Sequence, residues 1–400
     1  MVNQTLENLS KMAIFKMSLG SKELFHSNFL EFLWDTNYKA FIKLINQLLG
    51  KEVLFPDKEE GYYTFSREKE NFDICIYHKE KKQLKNGKQG ASEKPVYDVI
   101  IENKVKSIPC ITQLNKYEEK VKEKDKEKND TEFLLLSLVD KFEDKTKIER
   151  QKVWEIVSYN DLSKAIEKNY KEDCPYIKDY CDFIREMHNL QQCIAPGNFL
   201  ELEQELFDEY EKYKHYRLHD LYIKCRGLKF IELLKKKLDE KKISYEFVKE
   251  SGESLRRKFR ENQNQAPAVY LNWNVFNAEG QIAVFIHKGG NEIYEIVIQG
   301  AQSLQYRHGI NYVIANNGKY KSLDNDKKTS QSLIWNKVKS CKFMQGFKYP
   351  EKNAEHCGYG TDYIYRYDKV VEKKYGENIE SLLNHMVDDI DYFVKKFKCK

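Results

Sequence analysis

The sequence predicts a mixed α/β protein, a sheet flanked by helices, followed by a second unit of α+β character. Three observations predict it. Apolar residues recur at helical spacing between residues 21 and 50. Three runs of aromatic and β-branched residues then fall between Tyr62 and Val105. Strand-like and helix-like segments alternate from there to about residue 170.

The first helix is "SKELFHSNFLEFLWD", with Leu24, Phe25, Phe29, Phe32 and Leu33 as its apolar stripe and Ser21 as N-cap. "AFIKLINQLLG" continues as a second helix closed by Gly50. After Pro56 the period changes from helical to alternating. "YYTFS", "FDICIY" and "VYDVIIENKV" read as strands, and the polar stretch 78–94 between the last two reads as a long hairpin loop. "CITQLNKYEEKVKEK" is helical, "FLLLSLV" and "VWEIVSY" are strands, and Asn160 or Asp161 caps the helix "LSKAIEKNY".

With 400 residues the chain exceeds what one core usually serves, so two domains are expected. Residues 176–242 are helical by pattern with a break at Pro196-Gly197, which sets the boundary at 1–195 and 196–400. Strands resume at Tyr245: "ISYEFVKE", "PAVYLNWNVF", "QIAVFIH", "IYEIVIQ" and "GTDYIYRYD", with a hairpin turn near Gly289-Gly290 and a final helix from Asn378.

Lys and Arg number 68 against 63 Asp and Glu, a net charge of +5 that permits nucleic-acid binding without requiring it. The nine cysteines never form CxxC and read as reduced thiols of a cytoplasmic protein. No apolar run approaches the roughly 20 residues that span a bilayer, so no membrane partner is expected. There is no GxxxxGK[ST] element for a nucleotide phosphate.

The chemistry concentrates in "VYDVIIENKVKS". Strand alternation puts Asp98, Ile100, Glu102 and Lys104 on one face, with Glu102 and Lys104 roughly 7 Å apart. Buried charges of this kind cost several kcal/mol each unless paired. The preceding strand carries Asp73, which hairpin pairing brings roughly 5 Å from the Glu102 strand. Two such carboxylates repel unless a cation or a proton lies between them, and Mg²⁺ accepts one or two carboxylates with water and a carbonyl. A Glu–Lys ion pair with an unrelated Asp73 is the plainer alternative. Gln113 and Tyr117, four apart, share one face of the following helix.

Together "FDICI", "IIENK" and "QLNKY" resemble the PD-(D/E)xK nuclease superfamily, and particularly its RecB-type branch with a QxxxY element. The resemblance covers residues 20–170 and implies a restriction-endonuclease-like fold and a Mg²⁺-dependent nuclease, Mn²⁺ substituting. It makes Asp73 and Glu102 metal ligands with the Asn103 carbonyl, and Lys104 the residue that assists the attacking water. Asn71-Phe72 stands where the family has proline. Gln113 and Tyr117 then support the site and contact nucleic acid, with DNA the expected substrate. In the helix "ELFHSNFLEFL", His26 is the expected further metal ligand and Glu23, one turn earlier, the supporting group.

The rival reading is an inactive nuclease-like module that binds nucleic acid or a partner, though Asp73, Glu102 and Lys104 are all retained. A C-terminal sensor controlling the nuclease, as in bacterial phage defence, rests on architecture alone, and a homo-oligomer stays open. Other features carry less. Cys174, Cys181, His188 and Cys193 lack zinc-knuckle spacing, and His356-Cys357 lacks a partner pair. Stretch 78–94 holds six lysines against two glutamates, and Arg256, Arg257 and Arg260 form an arginine cluster; either is a candidate phosphate contact. Trp273, Trp335 and the "YIYRYD" tyrosines default to core, with base stacking as the alternative.

Overall fold

Two antiparallel strands, β2 (Ile74–Gln83) and β3 (Gln89–Lys104), form the axis of the first sheet in a computed structural model of the chain. The structure describes residues 2–18, 22–83, 89–124, 130–142, 144–171, 174–194, 211–248, 269–274, 280–289, 292–300, 306–316, 319–320, 363–366 and 379–396. It divides into two compact units, Met1–Ile194 and Ala195–Lys400.

In the first unit, β1 (Thr64–Arg67) borders β2, and β4 (Glu132–Ser137) and β5 (Trp154–Ser158) extend the sheet beyond β3 in the order β1-β2-β3-β4-β5. The first three strands are antiparallel, while β3, β4 and β5 run parallel. Parallel neighbours require crossovers. These are α5 (Ile111–Lys124) between β3 and β4, and α6 (Lys145–Gln151) between β4 and β5. Leu114 and Val121 of α5 and Ile148 of α6 bury one sheet face together with Cys75, Tyr77, Tyr97, Ile100, Leu135 and Trp154. On the other face pack α3 (Lys22–Thr36), α4 (Tyr38–Leu49) and α7 (Tyr159–Asn169). Two short N-terminal helices, α1 (Val2–Lys11) and α2 (Ala13–Ser18), lie against α8 (Pro175–Cys193).

Helix boundaries follow capping chemistry. Asn37 opens α4 by accepting from the Ala40 amide at 3.0 Å, and Gly50 closes it at φ 67°, a left-handed cap that suits glycine. Ser158, rather than Asn160 or Asp161, caps α7, accepting from the Asp161 amide at 3.1 Å. The helix therefore starts earlier than the expected signal, because Tyr159 is already buried against α3. Ser21 lies outside the described residues.

Three further expectations are corrected. Leu24 and Phe32 are exposed at 43% and 37%, and α3 buries His26, Ser27, Phe29, Leu30 and Leu33 instead. The stretch 78–94 is mostly strand, since β2 and β3 stay paired from His78↔Val96 out to Gln83↔Gln89. Among the described residues, this ribbon has no third strand beyond Tyr77, because β1 pairs no further than Tyr77 and β4 begins opposite Val99. Finally, the register jumps from Ile76↔Val99 to Tyr77↔Tyr97, leaving Asp98 as a bulge. Tyr97 and Ile100 consequently face the same core although they are three apart, and Asp98 turns to His78 Nδ1 at 2.8 Å. Asp98 thus leaves the face that Glu102 and Lys104 share.

The second unit holds a sheet in the order β11-β10-β9-β8-β7-β6 with β12 also on β10. Its strands are β6 (Tyr245–Val248), β7 (Val269–Asn274), β8 (Gly280–Gly289), β9 (Glu292–Gly300), β10 (Tyr306–Asn316), β11 (Lys319–Tyr320) and β12 (Tyr363–Arg366). All pairs are antiparallel except β6–β7. The expected hairpin is present, with β8 ending at Gly289 opposite Glu292 of β9. β10, "YRHGINYVIAN", escapes sequence reading because His308, Gly309 and Asn311 break its apolar alternation. Helices His219–Glu240 and Ile379–Lys396 pack together through buried Leu234, Leu238, Leu383 and Val387. The arginines 256, 257 and 260, Trp335 and the His356-Cys357 pair lie outside the described residues.

Candidate active site

The site forms where β2 begins and β3 ends. Register Ile74↔Ile101 sets Asp73, the residue before β2, beside Glu102. The bond that fixes it is direct: the Asn103 amide donates to Asp73 Oδ2 at 2.7 Å. Lys104 Nζ meets Glu102 Oε1 at 2.5 Å, and Gln113 Nε2 of α5 donates to the same oxygen at 3.1 Å. Gln113 Nε2 also lies 2.8 Å from the Tyr117 hydroxyl. The expected set Asp73, Glu102, Lys104, Gln113 and Tyr117 therefore converges as one cluster.

Asp73 sits at the end of an unusual lead-in. Glu68, Glu70 and Asn71 all have positive φ, at 54°, 57° and 66°, a conformation that non-glycine residues rarely adopt. Several contacts hold this turn. The Glu68 amide donates to the Asp73 carbonyl at 3.2 Å. Phe72 is buried edge-on to Tyr97 and Tyr117, and Lys120 of α5 donates to the Glu70 carbonyl. Packing over-determines a strained backbone next to a candidate site carboxylate, a placement typical of such strain. It does here what a fixed-φ proline would do.

The electrostatics follow from burial. Glu102 is 1% exposed, and desolvation, opposed by Lys104 and reinforced by Asp73 and Glu23, pushes its carboxyl up to about 8. Asp73 is raised as well, by desolvation first, while the Asn103 amide and Lys104 restrain the rise. Burial works against the Lys104 ammonium, yet Glu102, Glu23 and Asp73 hold its pKa above the usual value. Glu102 Oε2 is buried and, among the described residues, has no hydrogen-bond partner. An unsatisfied carboxylate oxygen of this kind asks for a cation or a proton.

His26 and Glu23 part company. His26 is 3% exposed, with Nδ1 3.0 Å from the Tyr180 hydroxyl, its ring stacked on Phe183 and edge-on to Tyr159. Burial, with Lys106 nearby, drops its pKa to about 3, so it is a neutral core residue. Among the described residues, its hydrogen bond and its ring contacts beyond α3 are with α7 and α8 and include neither carboxylate. Glu23 instead acts on Asp73, Glu102 and Lys104 through its charge and accepts from the Ser107 hydroxyl just past β3. The sequence reading of His26 as the metal ligand ahead of Glu23 is thus corrected; local sequence could not show it, since the decisive partner of His26 is 154 residues away.

Sequence reasoning missed a polar cluster on the opposite face of β3. The Asn103 side chain, fully buried, donates to Ser27 Oγ at 2.8 Å and lies 3.4 Å from the Tyr159 hydroxyl. An Asn between two charged residues reads as part of the same polar patch, which concealed its separate role. Among the zinc candidates, His188 Nε2 binds Asp140 at 2.9 Å and Cys181 is buried against the Ser163 carbonyl. Among the described residues, no group of three His, Cys, Asp or Glu side chains is arranged to hold a metal ion by itself.

Residues 13–195 match the family model of the PD-(D/E)XK nuclease superfamily. The first unit is a PD-(D/E)XK nuclease-superfamily domain. Its five-stranded mixed sheet flanked by helices is the restriction-endonuclease-like α/β fold. No curated protein and no solved structure matches the chain significantly. Among the described residues, no helix is long and apolar enough to cross a membrane.

Proposed function

We propose that the first unit is a metal-dependent nuclease that hydrolyses phosphodiester bonds, with DNA as substrate. One observation carries the reading: Asp73, Glu102 and Lys104 meet at one point and leave a buried Glu102 oxygen without a partner. The donor set suits Mg²⁺. It is made of oxygens, and Mg²⁺ needs only one or two carboxylates beside carbonyl and water ligands, so a complete protein cage is not required. Asp73, Glu102 and the Asn103 carbonyl would hold the ion, with Glu23 on its α3 side in place of His26. Once bound, the ion supplies Lewis acidity toward the phosphate and a water of lowered pKa.

The chain's own groups then have separable tasks. Lys104, charged at neutral pH, orients the attacking water and offsets charge that grows on the phosphate. Gln113 fixes Glu102 through Oε1 and leaves Oε2 free for the cation. The Gln113–Tyr117 pair on one helical face supports placement in the branch with the QxxxY element. The ribbon of β2 and β3, whose stretch 78–94 carries six lysines against two glutamates, supports a polyanionic partner. A binding module without turnover is the reading to exclude.

Purified protein incubated with plasmid, linear DNA and RNA in Mg²⁺, Mn²⁺ or EDTA tests this. Cleavage of DNA in metal and none in EDTA is expected. Cleavage that persists in EDTA, or no cleavage of any substrate while the chain still binds nucleic acid, rejects it. The second unit we assign to substrate choice or control of the site, as a phage-defence sensor would provide. The full chain and a fragment 1–195 compared on the same substrates test that role.

A further inference from the structure

The middle residue of Glu102-Asn103-Lys104 has a side chain that never reaches the carboxylates. Strand alternation turns Glu102 and Lys104 toward α5 and Asn103 toward α3 and α7. An amide fully buried among apolar neighbours costs energy unless it is hydrogen-bonded, and Asn103 is bonded at both ends. Nδ2 donates to Ser27 Oγ of α3, and Oδ1 accepts from the Tyr159 hydroxyl at the start of α7. Ser27 is itself 1% exposed and lies one turn after Glu23, whose carbonyl accepts from Ser27 Oγ at 3.4 Å.

We infer that the Asn103 side chain is a positioning residue. It pins α3 to β3 through Ser27 so that Glu23 is presented to Asp73 and Glu102. The same residue acts on both faces of the strand: its main-chain amide holds Asp73 while its side chain sets the helix that carries Glu23. Any apolar side chain at 103 would fill the space, but none would fix the rotation of α3 about its axis. A single directional bond does that, and one turn away the rotation decides where a glutamate points. The inference rests on the metal-site reading above.

The test uses the full chain and Mn²⁺ alone, titrated calorimetrically, with thermal melting recorded for each variant. Ser27→Ala should weaken Mn²⁺ binding about tenfold, in the range seen when a group supporting a metal ligand is lost. Tyr159→Phe should weaken it less, since its bond is longer. Ser27→Ala and Asn103→Leu should be non-additive, because each breaks the same bond. Should Ser27→Ala fail to fold, the triple variant Ser27→Ala, Asn103→Leu, Tyr159→Phe leaves no member of the cluster unpaired, and it should fold yet bind Mn²⁺ weakly. Ser27→Ala or the triple variant binding Mn²⁺ as the parent does would overturn the pin and leave the metal site standing. A parent chain that binds no Mn²⁺, by contrast, would overturn the site and the pin with it.

Discussion

The two faces of β3 at residues 102–104 make opposite use of burial. Toward α3 and α7, Asn103, Ser27, Tyr159 and the His26–Tyr180 pair satisfy one another with neutral hydrogen bonds. Toward α5, Glu102, Lys104 and Asp73 are ionisable groups, and among the described residues a Glu102 oxygen is left without a partner. A strand only one residue thick thus separates a settled polar core from an incomplete one. Stability resides on the first face, and the proposed chemistry requires the second to stay unsatisfied.

Glu102→Gln should show the largest effect and separate the two faces most sharply. Cleavage should fall by about a thousandfold or more through loss of a ligand charge, while the fold persists. The metal-free protein should also become more stable. With the Glu102 carboxyl raised to about 8 from an ordinary 4.5, the folded state takes up a proton more readily. That stability is complete below pH 4.5 and lost as pH rises through 8. Removing the charge should therefore raise stability in EDTA at pH 9 by roughly 2–4 kcal/mol. Denaturant titration at pH 5 and pH 9 checks the sign; a variant destabilised at both would refute the view of an incomplete face.

The neutral face makes the converse prediction. His26 is held at about 3 against an ordinary 6.5, so its contribution is present above pH 6.5 and lost as pH falls toward 3. At pH 5 this should cost the parent about 2 kcal/mol relative to pH 7. A variant with His26→Phe and Tyr180→Phe, which leaves neither partner unpaired, should lose that part of the acid sensitivity. Chemical denaturation at the two pH values reads it directly, and an unchanged slope would mean that His26 is not a neutral core residue.

Gln113→Ala should have a smaller effect, lowering turnover about tenfold or more, since it removes a bond that orients Glu102 rather than a ligand. Steady-state cleavage at saturating metal measures it, and parent-like rates would reduce Gln113 to packing. Smallest of all, Lys120→Met should destabilise by about 1 kcal/mol, the worth of one hydrogen bond. Hydrogen exchange at the amides of Glu68 and Phe72 should rise with it. Unaltered exchange would show that the turn before Asp73 holds without α5.

Much of this was legible in the chain. The apolar runs of β2, β3 and β4 announce buried strands, and hairpin pairing alone brings Asp73 to Glu102. Gln113 and Tyr117 follow from helical spacing. What escaped depends on contacts distant in sequence or on single-residue irregularities. The burial of His26 is decided by α8, and the start of α7 by Tyr159 meeting α3. α2 and α6, of six and seven residues, are too short for periodicity to mark them. The ribbon beyond Tyr77 looked like a loop because lysines and glutamates replace the apolar alternation that marks a half-buried strand. The bulge at Asp98 leaves no trace in the pattern, since Val96 to Ile101 is apolar on both sides of it.

That bulge makes the molecule modular. Between the ribbon and the candidate site it resets which side chains face α5, so the parity of the arm is uncoupled from the parity of the site segment. Glu102 and Lys104 keep their face because Ile74↔Ile101 and the parallel pairing with β4 fix them below the bulge. An arm of different length, or one grafted from another protein, would leave that register untouched. Lineages or engineers altering the arm would have a place to cut and splice that the candidate site does not feel.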